Sequence, residues 1–339
     1  MPPSQREAAM TDADQKTKHA SDDSDLETET SIARWNLDAI VSELRFSREV
    51  SHNIRPKGIL RQSPSRDALA GILDDLAAAL FPTHYSQSEL RRENIDYFVG
   101  DTLNRALVAL VKQVHRSFLF SGDVRSHRDV YGDSLALVSE FAAGLPAIRG
   151  VLVSDVRAAY QGDPAATELY EILLGYPGTT AIIYHRLANS LHRRGAPLIA
   201  RLISDIARSK TGIDIHPGAD IGPNFFIDHS TGVVIGETTV IGDRVRIYQA
   251  VTLGARSFPV DDKGTLIKGK ARHPIIEDDV VIYAGATILG RITVGRGSII
   301  GGNVWLTESV PPHSHISQAQ TRTGEHPDWI NASSRMSEP

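Results

Sequence analysis

Three short clusters in the second half of the chain carry side chains able to move protons. Asp214 and His216 stand in Thr211-Gly-Ile-Asp-Ile-His-Pro-Gly-Ala, and Asp228 and His229 open Asp-His-Ser-Thr-Gly-Val-Val-Ile-Gly-Glu-Thr, which also holds Glu237. The third is Arg272-His273-Pro274. A neutral imidazole held in one tautomer by a carboxylate is an effective general base near pH 7. The spacing of Asp214 and His229 allows such a contact without requiring it. Each residue also has a plainer use: Asp214 can satisfy corner amides, Arg272 can pair with a loop acid, and His216 reads as structural. Glu237 stands where small residues are usual, so a subunit boundary or cleft is expected beside it.

These clusters sit inside a repeat. From Thr211 to about Pro312 an aliphatic side chain recurs every sixth position: Ile215, Ile221, Ile227, Val233, Val245 and Val251, with Thr239 as the exception, then Ile276, Ile282, Ile288, Val294, Ile300 and Leu306. Neither a helix nor a simple strand gives a strict period of six. A left-handed parallel β-helix does, with one short strand and one corner per hexapeptide and three hexapeptides per triangular coil. An eighteen-residue coil stacks residue 214 under residue 232. Residues 255–271 interrupt the repeat with Arg256, Asp261, Asp262, Lys263, Lys268 and Lys270, and are expected to be extruded as a loop.

The remainder reads as an α + β chain of 339 residues. Residues 1–30 are polar and acidic and predict a disordered tail. Residues 31–210 have helical periodicity, for example Trp35, Leu37, Ile40, Val41 and Leu44, and again Leu69, Ile72, Leu73, Leu76 and Leu80. Further helices are predicted near 101–120, 125–143, 148–160, 165–174, 179–193 and 198–210, separated by Gly and Pro. The β-helix occupies 211–312 and a C-terminal tail 313–339. A net charge of −5 gives no electrostatic case for nucleic acid. No apolar run reads as long enough to span a membrane, and no signal-peptide pattern opens the chain. Cysteine is absent, which excludes disulfides, thiolate metal sites and a cysteine nucleophile and fits a cytoplasmic protein.

The Asp-His-Ser-Thr-Gly-Val-Val-Ile-Gly-Glu-Thr run resembles serine O-acetyltransferases among the hexapeptide-repeat acyltransferases. The likeness extends through Gly212-Ile-Asp-Ile-His-Pro-Gly-Ala, Tyr248-Gln-Ala-Val-Thr-Leu-Gly, Arg272-His-Pro, Gly285-Ala-Thr-Ile-Leu-Gly and, upstream, Asp163-Pro164-Ala165 and Tyr184-His-Arg. It covers roughly residues 150–320. The resemblance implies acetyl transfer from acetyl-CoA to L-serine, the first step of cysteine biosynthesis, with no metal. It makes His229 the general base, Asp214 its partner and His273 a further catalytic group. Asp163, Asp228 and Arg272 would contact serine, Glu237 would lie nearby, and Gly254, Ala284 and Gly285 would flank the CoA arm. It also implies trimers or dimers of trimers, with active sites between β-helices, and cysteine feedback inhibition. Two features depart from the pattern: the loop before Arg272 is long and charged, and the chain lacks the terminal isoleucine that some relatives insert into O-acetylserine sulfhydrylase. Alternative readings are an acetyltransferase for a sugar or xenobiotic, which leaves Asp163-Pro164 unexplained, and a γ-type carbonic anhydrase using His216, His229 and His273. Against the latter, Arg272 beside His273 would repel a cation. A catalytically silent assembly scaffold is a further alternative.

Overall fold

The computed structural model describes residues 35–52, 61–86, 89–120, 127–257 and 261–318. The tail expected over residues 1–30, positions 258–260 of the loop, and the C-terminal stretch from residue 319 lie outside the described residues. The chain divides into two compact units, Met1–Leu60 and Arg61–Pro339.

In the first unit, α1 (Leu37–Phe46) starts at Asn36, whose side chain accepts the Ala39 N–H, and ends in one π-helical turn, Ser47–Ser51. Its expected apolar face is present, but Leu37, Ile40, Val41 and Leu44 remain 45–60% exposed.

The second unit contains α2 (Arg66–Leu80), α3 (Pro82–Tyr85), α4 (Ile95–Phe120), α5 (His127–Gly162), α6 (Leu169–Gly175), α7 (Pro177–Arg193) and α8 (Pro197–Thr211). The Ser65 hydroxyl accepts the Ala68 N–H and so caps α2, while Leu69, Ile72, Leu73, Leu76 and Leu80 are all buried. Helix α5 corrects the sequence reading twice. Gly144-Leu145-Pro146 was expected to separate two helices, yet the helix runs through Pro146. The buried stripe Val138, Phe141, Leu145, Leu152 and Val156 continues across the proline; packing on that stripe outweighs the missing N–H. The joined helix is also long and apolar enough to cross a membrane by length and composition, with a mean hydropathy of 1.5 over its most apolar stretch, 22% of it buried. The expected break at Gly144-Leu145-Pro146 divides that apolar stretch between two helices. Helix α6 begins at Leu169, four residues later than the helix expected over 165–174, so Asp163 is not at a helix start. It closes a turn instead, its carboxylate accepting the Ala165 N–H at 2.8 Å.

Fourteen short strands follow in this region: β1 (Asp214–Ile215), β2 (Asp220–Ile221), β3 (Phe226–Ile227), β4 (Val234–Ile235), β5 (Val240–Ile241), β6 (Arg246–Ile247), β7 (Thr252–Gly254), β8 (Ile275–Ile276), β9 (Val281–Ile282), β10 (Thr287–Leu289), β11 (Thr293–Val294), β12 (Ile299–Ile300), β13 (Trp305–Leu306) and β14 (His315–Ile316). They form three parallel sheets, ordered β1-β4-β7-β10-β13, β11-β8-β5-β2 and β14-β12-β9-β6-β3. This is the left-handed parallel β-helix that the period of six predicts.

The register differs from a strict period. Asp214 pairs with Val234, twenty positions on, whereas Val234 pairs with Thr252, eighteen on. The first coil therefore holds two residues more than expected, and Asp214 lies beside Val234 rather than under residue 232. The corner between β3 and β4 absorbs the surplus, and there both His229 (φ 54°) and Ser230 (φ 60°) adopt the left-handed conformation. The inward ladder consequently runs Ile215–Ile235–Leu253–Ile288–Leu306 on one face. Val233, Thr239, Val245 and Val251 are also buried, but on a second inward position two residues upstream. The sequence count crossed from one ladder to the other at the enlarged corner. Every position in it points inward nonetheless.

A buried ion pair joins the helices to the coils. The Arg186 guanidinium on α7 donates to both oxygens of Asp155 on α5, at 2.6 and 2.9 Å, and to the carbonyls of Ile221 (3.0 Å) and Gly222 (2.9 Å). Asp155 also accepts the Phe225 N–H at 2.9 Å.

Candidate active site

The corner after β3 gathers the acidic half of the expected set. Asp228, in line with β3, is buried, and its carboxyl is pushed up by burial, with Asp163 nearby adding to the rise and His229 opposing it. Asp163 arrives from the end of α5. Its carboxyl is held below the usual range first by the Tyr176 hydroxyl, which donates to it at 2.5 Å, and then by the Ala165 amide. His229 stands on the corner itself with its side chain 71% exposed, Nε2 lying 3.8 Å from Asp228 Oδ1. Left-handed backbone costs a non-glycine residue about 1–2 kcal/mol; here it lifts the imidazole clear of the coil.

The neighbouring Asp214 makes no ion pair with His229. Within one chain the imidazole faces Asp228 and the Tyr248 ring, whose centroid is 6.4 Å away. The enlarged corner accounts for this, because it moves His229 off the stack that contains Asp214.

Residues the sequence reading gave no role complete this corner. Tyr248 stacks on Tyr283 with centroids 5.0 Å apart, and Arg246 lies over the Phe226 ring and donates to the Tyr248 hydroxyl at 3.3 Å. The signal was available: Asp228, Tyr248 and Tyr283 each follow an inward isoleucine, at Ile227, Ile247 and Ile282, so equal offsets place them on one edge.

The basic half lies at the next corner, between β4 and β5. Arg272 donates to Glu237 at 2.7 Å, so its acid partner is the coil residue and not one from the loop. Burial works to raise the Glu237 carboxyl, but Arg272, His216 and His273 outweigh it and hold it low. His273 is buried, and burial together with the Arg272 charge pushes its imidazole down to about 4, so it is neutral at pH 7. Thr238 N–H donates to its Nδ1 at 3.1 Å, which leaves the ring proton on Nε2. His216, pushed down to about 4 chiefly by burial, accepts the Gly218 N–H on Nδ1 at 2.9 Å. That is a structural role. Among the described residues no group of three His, Asp or Glu side chains is placed to hold a metal ion; His229 and His273 belong to different corners.

The positions expected along the CoA arm lie in or just before strands of one sheet. Gly254 ends β7 and pairs with Leu289, while Ala284 and Gly285 turn into β10. Gly285 has φ 71° and an added Cβ would strike Asn303 Oδ1, so packing within the chain already requires glycine there.

Gly236 serves the site directly. A Cβ on it would overlap Cδ2 and Nε2 of His273. Gly236→Ala is therefore expected to displace that ring and lower kcat about tenfold or more, the scale of one misplaced polar contact; steady-state kinetics beside a thermal melt checks it. Tyr176→Phe removes the main influence holding Asp163 low. The acid-side rise in substrate KM should then begin at a higher pH than in the parent, with KM at neutral pH raised about fivefold, as read from a KM–pH profile.

Relatives place this geometry in a known group. A family model for bacterial transferase hexapeptide repeats (six repeats) matches residues 273–308. The plasmid serine acetyltransferase of Synechococcus elongatus is 55% identical over 304 residues, covering 87% of this chain and 94% of that one. The serine acetyltransferase of Mycobacterium tuberculosis is 46% identical over 193 residues, 55% of this chain and 79% of that one. Serine acetyltransferase 1 of Entamoeba histolytica, solved in complex with L-cysteine, is similar with a TM-score of 0.63 at 34% identity, over 78% of this chain and 90% of that chain. Identity at that level over nearly the whole of a relative leaves one assignment: the chain is an acyltransferase and belongs to the serine acetyltransferase family.

Proposed function

We propose that this acyltransferase moves the acetyl group of acetyl-CoA onto the hydroxyl of L-serine, giving O-acetyl-L-serine and CoA, by direct attack with His229 as general base. The observation that carries the reading is the corner where Asp163 and Asp228 meet beside an exposed imidazole. Serine is a zwitterion. Its ammonium suits the two carboxylates, whose mutual repulsion a bound cation relieves, and its carboxylate suits the guanidinium fork of Arg272. As the hydroxyl oxygen bonds to the thioester carbonyl, its proton passes to His229. Collapse of the tetrahedral intermediate breaks the C–S bond, and the proton leaves with the CoA thiol. No acyl-enzyme is needed, in keeping with a chain that has no cysteine.

The acidic and basic halves sit at two different corners of one prism, on either side of β4. A site drawing on both is assembled from two copies, the His229 corner of one facing the Arg272 corner of the next; a triangular prism suits a trimer, and trimers could pair further through helices. Asp214 would then act on His229 only after the ring turns on its exposed corner. L-cysteine, which differs from serine in one atom and is bound by serine acetyltransferase 1 of Entamoeba histolytica, would occupy the same place here, and the product would feed cysteine biosynthesis. An acceptor screen monitoring CoA release tests the whole reading: L-serine should be preferred over sugars and amines by about 10³-fold or more, because an acceptor lacking either charged end leaves buried polar groups unpaired. Equal rates with a neutral acceptor would sink it.

A further inference from the structure

The basic corner turns on Thr238, the last residue of the Asp-His-Ser-Thr-Gly-Val-Val-Ile-Gly-Glu-Thr run, to which the sequence reading gave no role. Thr238 Oγ1 accepts the N–H of Arg272 at 2.9 Å and the N–H of His273 at 3.2 Å. With two donors received, the hydroxyl still has its own proton, and His273 Nδ1 lies 2.9 Å away. That nitrogen already receives the Thr238 N–H, so it carries no hydrogen and the hydroxyl donates to it. The Thr238 carbonyl is engaged as well: Arg291 donates to it at 2.6 Å and to the His273 carbonyl at 3.0 Å. A single threonine thus holds the backbone of both motif residues, fixes the tautomer of the imidazole, and leaves Nε2–H as the ring's remaining donor. Among the described residues no hydrogen-bond partner meets that Nε2.

We propose that Thr238 is a positioning residue for the acetyl transfer: its hydroxyl clamps Arg272 and His273 in one arrangement, with the His273 Nε2–H aimed outward as a hydrogen-bond donor. This rests on the reading of Arg272 and His273 as site residues given above. It separates the two imidazoles by chemistry. His229, without such a brace, is free to accept a proton; His273, braced on Nδ1 and neutral, can only give a hydrogen bond. Oxygen that gains negative charge as the hydroxyl attacks is the natural recipient of such a donor. The clamp also explains why a glycine precedes it at 236: the ring packs where a Cβ on that residue would stand, and the threonine decides which edge faces out.

Thr238→Val keeps the shape and the backbone N–H but deletes the oxygen, and Thr238→Ser restores it. The valine variant should lose roughly 10–100-fold in kcat/KM for L-serine, as expected when a partly buried polar network loses its central member, with both kcat reduced and KM raised because two site residues are released. The serine variant should recover to within about threefold of the parent. Independently of any substrate, ¹⁵N NMR of histidine-labelled protein should give His273 as a pure Nε2–H tautomer in the parent, its signals identified by their loss in His273→Asn. In Thr238→Val, whose backbone N–H still holds that tautomer, the Nδ1 signal should shift as the hydroxyl's hydrogen bond is lost, and Thr238→Ser should restore it. If the valine variant does not fold, Thr238→Ala takes its place. Parent-like kinetics in the valine variant, or an equal loss in the serine variant, overturns the proposal; so does an Nδ1–H signal for His273 in the parent. If L-serine proves not to be the acceptor, the function falls while the NMR arm still decides the clamp.

Discussion

Replacing His229 by asparagine is expected to lower kcat with L-serine and acetyl-CoA by roughly 10²–10⁴-fold, the contribution of a positioned general base, with the melting temperature unchanged. Asparagine is the better choice over alanine because position 229 has φ 54°, and asparagine tolerates left-handed backbone where alanine is strained. The native side chain is 71% exposed, so the fold gains little from it and loses little without it. The loss must therefore appear in turnover and not in stability. Steady-state CoA release beside a thermal melt separates the two, and turnover within about threefold of the parent would remove His229 from its role. The same experiment bears on Asp214. If the acid acts only by orienting this ring, Asp214→Asn should cost less than the imidazole variant, and the double variant should cost no more than His229→Asn on its own.

The second large effect concerns stability. Arg186→Met is expected to lower the unfolding free energy by about 3–5 kcal/mol, as when one partner of a buried ion pair is removed. It strips donors from the carbonyls of Ile221 and Gly222 and leaves Asp155 with the Phe225 amide. The pH dependence has a definite sign. Burial already raises the Asp155 carboxyl, with Arg186 opposing; without the guanidinium it rises further. An acid whose folded pKa exceeds its unfolded one binds more protons in the native state, so stability falls as pH rises through that interval. The deficit of Arg186→Met should therefore be smaller at pH 5 than at pH 8 in denaturant melts. The paired variant Asp155→Leu with Arg186→Met should regain much of the loss. A deficit below about 1 kcal/mol, equal at both pH values, would mean that this pair does not couple helices to coils.

Much of the β-helix was legible because its rule is local. Each hexapeptide repeats the same inward aliphatic, so the count from Ile215 to Leu306 finds buried positions even where it slips between ladders. Helices such as α2 were legible for the same reason, with Leu69, Ile72, Leu73, Leu76 and Leu80 all buried. What failed were inferences from punctuation. Gly144-Leu145-Pro146 read as a break because its isolated propensity could not be weighed against the packing of Phe141, Leu145 and Leu152 into the core, and the helix expected from residue 165 starts only at Leu169.

The site divides along the same line. From the sequence came the chemical inventory: carboxylates at 163, 214, 228 and 237, imidazoles at 229 and 273, a guanidinium at 272, and no thiol. The repeat also placed them on corners of a prism. Only the folded coils decided which groups meet. Two extra residues in one corner set Asp214 beside Val234 and turned His229 towards Asp228. The contacts of Thr238 with Arg272 and His273 span 34 and 35 positions. Side-chain type and period are properties of the local chain; contact between coils depends on how many residues each turn consumes, and that sum closes only in three dimensions.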